Sequence, residues 1–225
     1  MTIWVEGFLV VLMLTNLWLL GSSRLLSCIA AVSVQGVLLG LLPLVIRIDA
    51  PLWRLLLQAG ASLGLKGIAF PLLLLRAVRS VDARREVVPL VGYSASLLIG
   101  VGLLAASLFT GLRLPLPGTG SAATVLPWHS VLLVPAAIFT ALTGLFVIVG
   151  RRSAIVQALG YLAMESGIAA FGMAIAEQEP LLVEMGTLLD AFVAVFVMGI
   201  TIFHINREFD HIDSDRLSSL KDSPR

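Results

Sequence analysis

The chain has 225 residues, of which 58% are apolar and 13% charged, with a net charge of +1 and a mean hydropathy of +1.00. A water-facing globule needs roughly 25–35% charged residues on its surface, so the composition excludes a soluble domain and predicts an all-α, polytopic transmembrane helix bundle. The net charge of +1 by itself says nothing about nucleic acid, which is not among the expected partners.

Seven spans are predicted, because a helix crosses a bilayer with about 20 mostly apolar residues. The first, 3–21, carries Trp4, Glu6 and Trp18, and Gly21-Ser22-Ser23-Arg24 ends it. It reads as a membrane helix rather than a secretory signal, since no Lys or Arg precedes it. The second, 25–46, holds Gln35 and Pro43 and stops at the break from Arg47 to Pro51. The third, 54–75, contains Gln58, Lys66 and Pro71, and a proline kink is expected five residues beyond the lysine. The longest charged loop runs from Arg76 to Glu86. The fourth span, 87–112, is glycine-rich ('GVGLLAASL' from Gly100) but too apolar for a phosphate loop.

Residues 113–126, rich in Pro and Gly, form an outer loop. They separate a four-helix portion (1–112) from a three-helix portion (127–205). The fifth span, 127–150, includes Pro135, where a kink is expected as at Pro43 and Pro71, and ends at Arg151-Arg152. The sixth, 154–176, carries Gln157 and Glu165 and ends at the acidic turn Glu177 to Pro180. The seventh, 181–205, carries Glu184, Asp190 and His204, and a tail (206–225) follows. With the N-terminus outside, eleven of the fifteen Lys and Arg fall on the inner side and three on the outer, which leaves Lys66 in the membrane. Such a bias sets orientation and places the tail in the cytoplasm. The tail is expected to dock on a cytosolic partner through Leu217 and Leu220, with a frayed tail as the alternative. Trp4, Trp18, Trp53 and Trp128 are expected interface anchors, and Gln35, Gln58 and Gln157 interhelical hydrogen-bonders.

Lys66, Glu165 and Asp190 sit about 15–18 Å into a ~30 Å apolar layer at 1.5 Å rise per residue. Each costs about 2.5–3.5 kcal/mol or more on insertion scales, so each is expected to face protein or water. Helical spacing groups Lys66 with Ala59, Ser62 and Ala69, Glu165 with Ala158, Ala169 and Gly172, and Asp190 with Gly186 and Ala194. Small residues of this kind mark packed faces. One lysine cannot neutralise two acids, so the belt of charge reads as proton- or ion-handling, with a fixed lysine–carboxylate pair as the structural alternative. Glu6, Glu184 and His204 are accessory candidates nearer the membrane faces. Electron transfer is excluded on ligand supply. Cys28 is the only cysteine, and His129, His204 and His211 share no common depth.

Two segments carry a family resemblance. 'QALGYLAMESGIAAFGMAI' from Gln157 and 'LLVEMGTLLDAFVAVFVMGITIFHINREFD' from Leu181 resemble the component E subunit of hydrogenase-4 and formate hydrogenlyase complexes, and 'DSDRLSSLKD' from Asp213 is similar to that family's ending. Residues 127–205 also resemble the three-helix small membrane subunit of respiratory complex I, and more distantly the C subunit of multisubunit sodium/proton antiporters. The resemblance implies a subunit of the cell inner membrane without cofactors of its own. Its implied partners are antiporter-like membrane subunits, a membrane-anchor subunit and, on the cytoplasmic side, a peripheral hydrogenase-type arm. It implies proton-transfer roles for Glu165, Asp190 and Lys66. The family often has Asn after the glutamate, where this chain has Ser166, whose hydroxyl can still donate to the carboxylate. A cation/proton antiporter component and a purely structural membrane-arm scaffold are the alternatives.

Overall fold

A computed structural model describes residues 2–46, 56, 59–60, 63–72, 74–75, 90–114, 131–151, 153–175 and 199. They form helices α1 (Thr2–Gly21), α2 (Leu25–Ile46), α3 (Tyr93–Gly111), α4 (Leu133–Gly150) and α5 (Ala154–Ile175), and a π-helical segment, Leu63–Ala69, between α2 and α3. No strand occurs among the described residues. All five α-helices are long and apolar enough to cross a membrane. The fold is an all-α bundle of membrane type, as the composition requires.

Helix ends follow local chemistry. After Gly21, the Arg24 carbonyl accepts the Ser27 and Cys28 N–H groups at 3.0 and 3.1 Å, which turns the chain straight into α2. Pro43 lies one turn before the end of α2, so the helix runs on to Ile46. Pro135 occupies the third position of α4, where its missing N–H leaves no bond unmade. The kink expected there is therefore replaced by a helix start, later than the predicted position 127. α3 likewise begins at Tyr93, six residues after the predicted start, following a bend at Leu90–Val91 and Gly92.

The third span departs most from expectation. Its irregularity is centred on Lys66 itself rather than beyond it at Pro71. Pro71 cannot bond the Gly67 carbonyl, and Gly64 and Gly67 leave the preceding backbone pliable, conditions under which a wide π turn forms.

α4 and α5 make the most intimate pair. A Cβ at Gly167 would collide with the Ala141 backbone, and one at Gly160 would stand 2.9 Å from the Gly144 carbonyl oxygen. α1 packs on α2, α3 and α4, and α2 on α5 and the π segment. Helices that precede and follow residues 113–126 in sequence thus share one interior. α3 is peripheral: Ser96, Gly100, Ser107 and Gly111 face inward, while Leu97, Leu98, Ile99, Val101 and Phe109 are exposed. Trp4 and Trp18 are also exposed near the two ends of α1, where interface anchors belong.

Candidate functional site: a buried polar layer between two apolar cores

The apolar interior is in two pieces. One contains Leu19, Leu20, Cys28, Val32, Phe70 and Leu159. The other contains Leu9, Leu12, Leu42, Phe139, Ala170 and Ala174. The first gathers the end of α1, the start of α2, the end of α4 and the start of α5; the second gathers their opposite ends. Between them, at mid-depth, lie the buried polar residues Asn16, Gln35, Lys66, Thr140, Thr143, Glu165 and Ser166.

Lys66 and Glu165 meet in this layer. The Lys66 ammonium donates to Glu165 Oε1 at 2.8 Å and lies 2.7 Å from Oε2, so it meets both carboxylate oxygens. The two side chains are only 8% and 9% exposed, and residues 99 apart in sequence are joined. The partner of Lys66, which sequence leaves open, is Glu165.

α2 makes this approach possible. A Cβ on Gly36 would stand 2.9 Å from the Lys66 carbonyl carbon and Cβ, and one on Gly40 would stand 3.1 Å from Leu63 Cγ. Gly36 and Gly40 are four residues apart on one face, a small-xxx-small pattern that admits a neighbouring backbone. The small residues that seat Lys66 are therefore mainly on the facing helix. Of those expected beside Lys66, Ala59 is buried and Ala69 half-buried, while Ser62 is outside the described residues. On α5, Ala158 is buried with Glu165, while Ala169 and Gly172 are half-buried.

The rest of the layer runs from α2 through α1 to α4. Gln35 Nε2 donates to Asn16 Oδ1 at 2.8 Å. Asn16 Nδ2 donates to Thr140 Oγ1 at 2.8 Å and to the Leu12 carbonyl at 3.1 Å. Thr140 donates on to the Ala136 carbonyl at 2.7 Å. Gln35 is thus an interhelical hydrogen-bonder, as expected. Gln157 instead caps the turn before its own helix by donating to the Arg151 carbonyl at 3.0 Å. Asn16, Thr140 and Thr143 escape a charge-based reading. Their signal in sequence is one uncharged polar residue near the middle of an apolar run.

The other candidates lie elsewhere. Glu6 is exposed near the start of α1, remote in depth from the layer. Asp190, Glu184 and His204 fall outside the described residues, as do Gln58, Trp53, Trp128 and the tail. Among the described residues, no group of His, Cys, Asp and Glu could hold a metal ion.

At the end of the bundle shared by Gly21, Leu25 and Gly150, Arg151 is buried. It donates through Nη2 to the Leu20 carbonyl at 2.8 Å, and its guanidinium lies 5.0 Å from the Tyr93 ring centre. This clamp ties α1, α3 and α4 together.

No family model matches the chain, and no solved structure matches it. It is similar to the uncharacterized protein Rv0085 of Mycobacterium tuberculosis (strain ATCC 25618 / H37Rv), with 35% identity over 189 residues that cover 84% of this chain and 82% of that protein. The aligned length takes in most of the chain, and on that identity and coverage the chain belongs to the family of the uncharacterized protein Rv0085.

Proposed function

We propose that the chain is a membrane subunit of a membrane-bound hydrogenase or formate hydrogenlyase-type complex. It has no redox centre of its own, and its mid-depth charges carry protons, or Na+, between antiporter-like subunits and the redox module. The observation that supports this most is the Lys66–Glu165 pair within a polar layer that divides the apolar core in two. Buried ionisable groups in spans are costly, and those that persist commonly mark ion or proton routes. The resemblance of residues 157–175 and 181–210 to the component E subunit supports the choice of complex. Asp190, on the next predicted span, extends the route. The end that holds Arg24 and Arg151 faces the cytoplasm in this reading, which puts the N-terminus outside and the peripheral arm beside that end.

A scaffold reading has its own support: the pair is a closed contact, with the ammonium within 2.8 Å of both carboxylate oxygens. In that case the charges fix helix register only.

Purification of the native complex under mild conditions, with mass spectrometry of the accompanying chains, tests the assembly. Nickel–iron hydrogenase-type subunits together with antiporter-like subunits are expected. Antiporter-like subunits alone would replace this reading with that of a cation/proton antiporter component, and isolation of the chain without partners would contradict both.

A further inference from the structure

The helices that seat the ion pair carry little in their apolar surface to fix how they are turned. On α2, Val34 and Val37 are exposed while Val32 and Leu39 are buried. On α4, Leu145 and Val149 are exposed while Phe139 and Val147 are buried. Both sides are apolar, and lipid tails accept such side chains as readily as a neighbouring helix does. The pair nevertheless depends on rotation. Gly36 of α2 faces the Lys66 backbone, where a Cβ would stand 2.9 Å from the carbonyl carbon. Turning α2 by one residue, about 100° in a helix of 3.6 residues per turn, would bring a side chain with a Cβ to that place. Gly144 of α4 faces α5 in the same way, 2.6 Å from Met164 Cα for an added Cβ.

One side chain ties both rotations. Asn16 is wholly buried on α1, between α2 and α4. Its Oδ1 accepts from Gln35 Nε2 of α2 at 2.8 Å, and its Nδ2 donates to Thr140 Oγ1 of α4 at 2.8 Å and to the Leu12 carbonyl at 3.1 Å. Thr140 spends its hydrogen on the Ala136 carbonyl, so towards Asn16 it only accepts. That fixes the amide: nitrogen to α4, oxygen to α2. A helix turns as one body, so the direction in which Gln35 points sets the direction of Gly36 and Gly40. The direction of Thr140 likewise sets that of Gly144, one turn along the same face.

We propose that Asn16 is a positioning residue for the Lys66–Glu165 pair. Through Gln35 it holds α2 with Gly36 and Gly40 towards the π segment that carries Lys66. Through Thr140 it holds α4 with Gly144 against α5, which carries Glu165. Buried asparagine fixes register in coiled coils at a cost in stability, because apolar replacements pack well in more than one arrangement. The bearing of this role on proton transfer rests on the function proposed above; the positioning itself does not.

Dipolar-recoupling solid-state NMR between Lys66 Nζ and Glu165 Cδ, on the isotope-labelled full chain in lipid bilayers, tests the role. The chain has two lysines, so a Lys221→Arg background leaves Lys66 as the sole Nζ reporter. Asn16→Leu combined with Gln35→Leu removes both amides at once, and Thr140 keeps its bond to Ala136, so no polar group is stranded by the change. This variant should melt near the original temperature, while the Lys66–Glu165 coupling falls severalfold or splits into more than one population. Thr140→Val should weaken the coupling too, and Thr140→Ser, which keeps the acceptor, should retain it. A merely structural network would change the melting temperature and leave the coupling alone. An unchanged coupling in the folded Leu variant would overturn the proposal; if that variant does not fold, equal coupling in Thr140→Val and Thr140→Ser would overturn it. The readout is a distance and not pumping. An unchanged distance leaves the relay reading standing, whereas normal pumping without Glu165 refutes the relay and leaves the positioning role standing.

Discussion

Lys66→Met should destabilise the chain by about 3–5 kcal/mol, the cost of leaving one buried charge without its partner. Glu165 is buried between two apolar cores, and the Lys66 ammonium is the cation within reach among the described residues. Methionine fills the same space but gives the carboxylate no compensation. Glu165→Gln should cost less, because Lys66 can still donate to the new amide oxygen. The double variant Lys66→Met, Glu165→Gln should regain most of the stability, since an apolar–neutral pair carries no stranded charge. Thermal unfolding of the four proteins in one detergent closes a double-mutant cycle, the means of isolating a pairwise interaction. A loss in the double variant equal to the sum of the two single losses would show that the pair is not coupled.

Gly144→Leu should be nearly as harmful, for a different reason. The first added carbon would stand 2.5 Å from the Gly160 carbonyl oxygen and 2.6 Å from Met164 Cα. Both are backbone atoms of α5, so no side chain can swing aside. Overpacking of this kind costs about 1–3 kcal/mol, and the rest of the leucine adds to it. The displaced helix carries Glu165, so the change should also lengthen the contact with Lys66. Gly36→Ala presses on the same pair from the other side, against the Lys66 backbone. Gly7→Ala is the control, because nothing lies within 4 Å of its added carbon. Melting temperatures should fall for the first two and hold for the third; a neutral Gly144→Leu would mean that α4 and α5 are farther apart than described.

Much of this architecture is legible in the sequence because a membrane helix is written in composition. Charged and glycine interruptions at Gly21–Arg24 and Arg151 set helix ends that agree with the observed ones to within a residue for α1, α2 and α5. Proline is harder to read. Pro135 begins a helix where a kink is expected, and Pro71 lies beyond a π turn rather than at a simple bend. Whether a proline ends, starts or distorts a helix depends on which carbonyl lies four residues back and what packs there. The charges of the candidate site are legible from the cost of burying them. Its uncharged members are not, because a threonine hydroxyl in a helix usually bonds its own backbone. Thr140 does so and still accepts from Asn16, a link that depends on how α1 and α4 are rotated against each other. That rotation is a tertiary fact. The choice of Glu165 as the partner of Lys66 is of the same kind, since it follows from the glycines of α2 that bring the π segment close.

The most direct test of the central claim is proton uptake into inverted membrane vesicles by the assembled complex that carries Glu165→Gln, alone and with Asp190→Asn, with subunit composition read on a native gel. If Glu165 relays protons, the complex stays assembled and the protons moved per electron fall sharply. Normal uptake by a fully assembled double variant would contradict the account and leave the Lys66–Glu165 pair a structural brace.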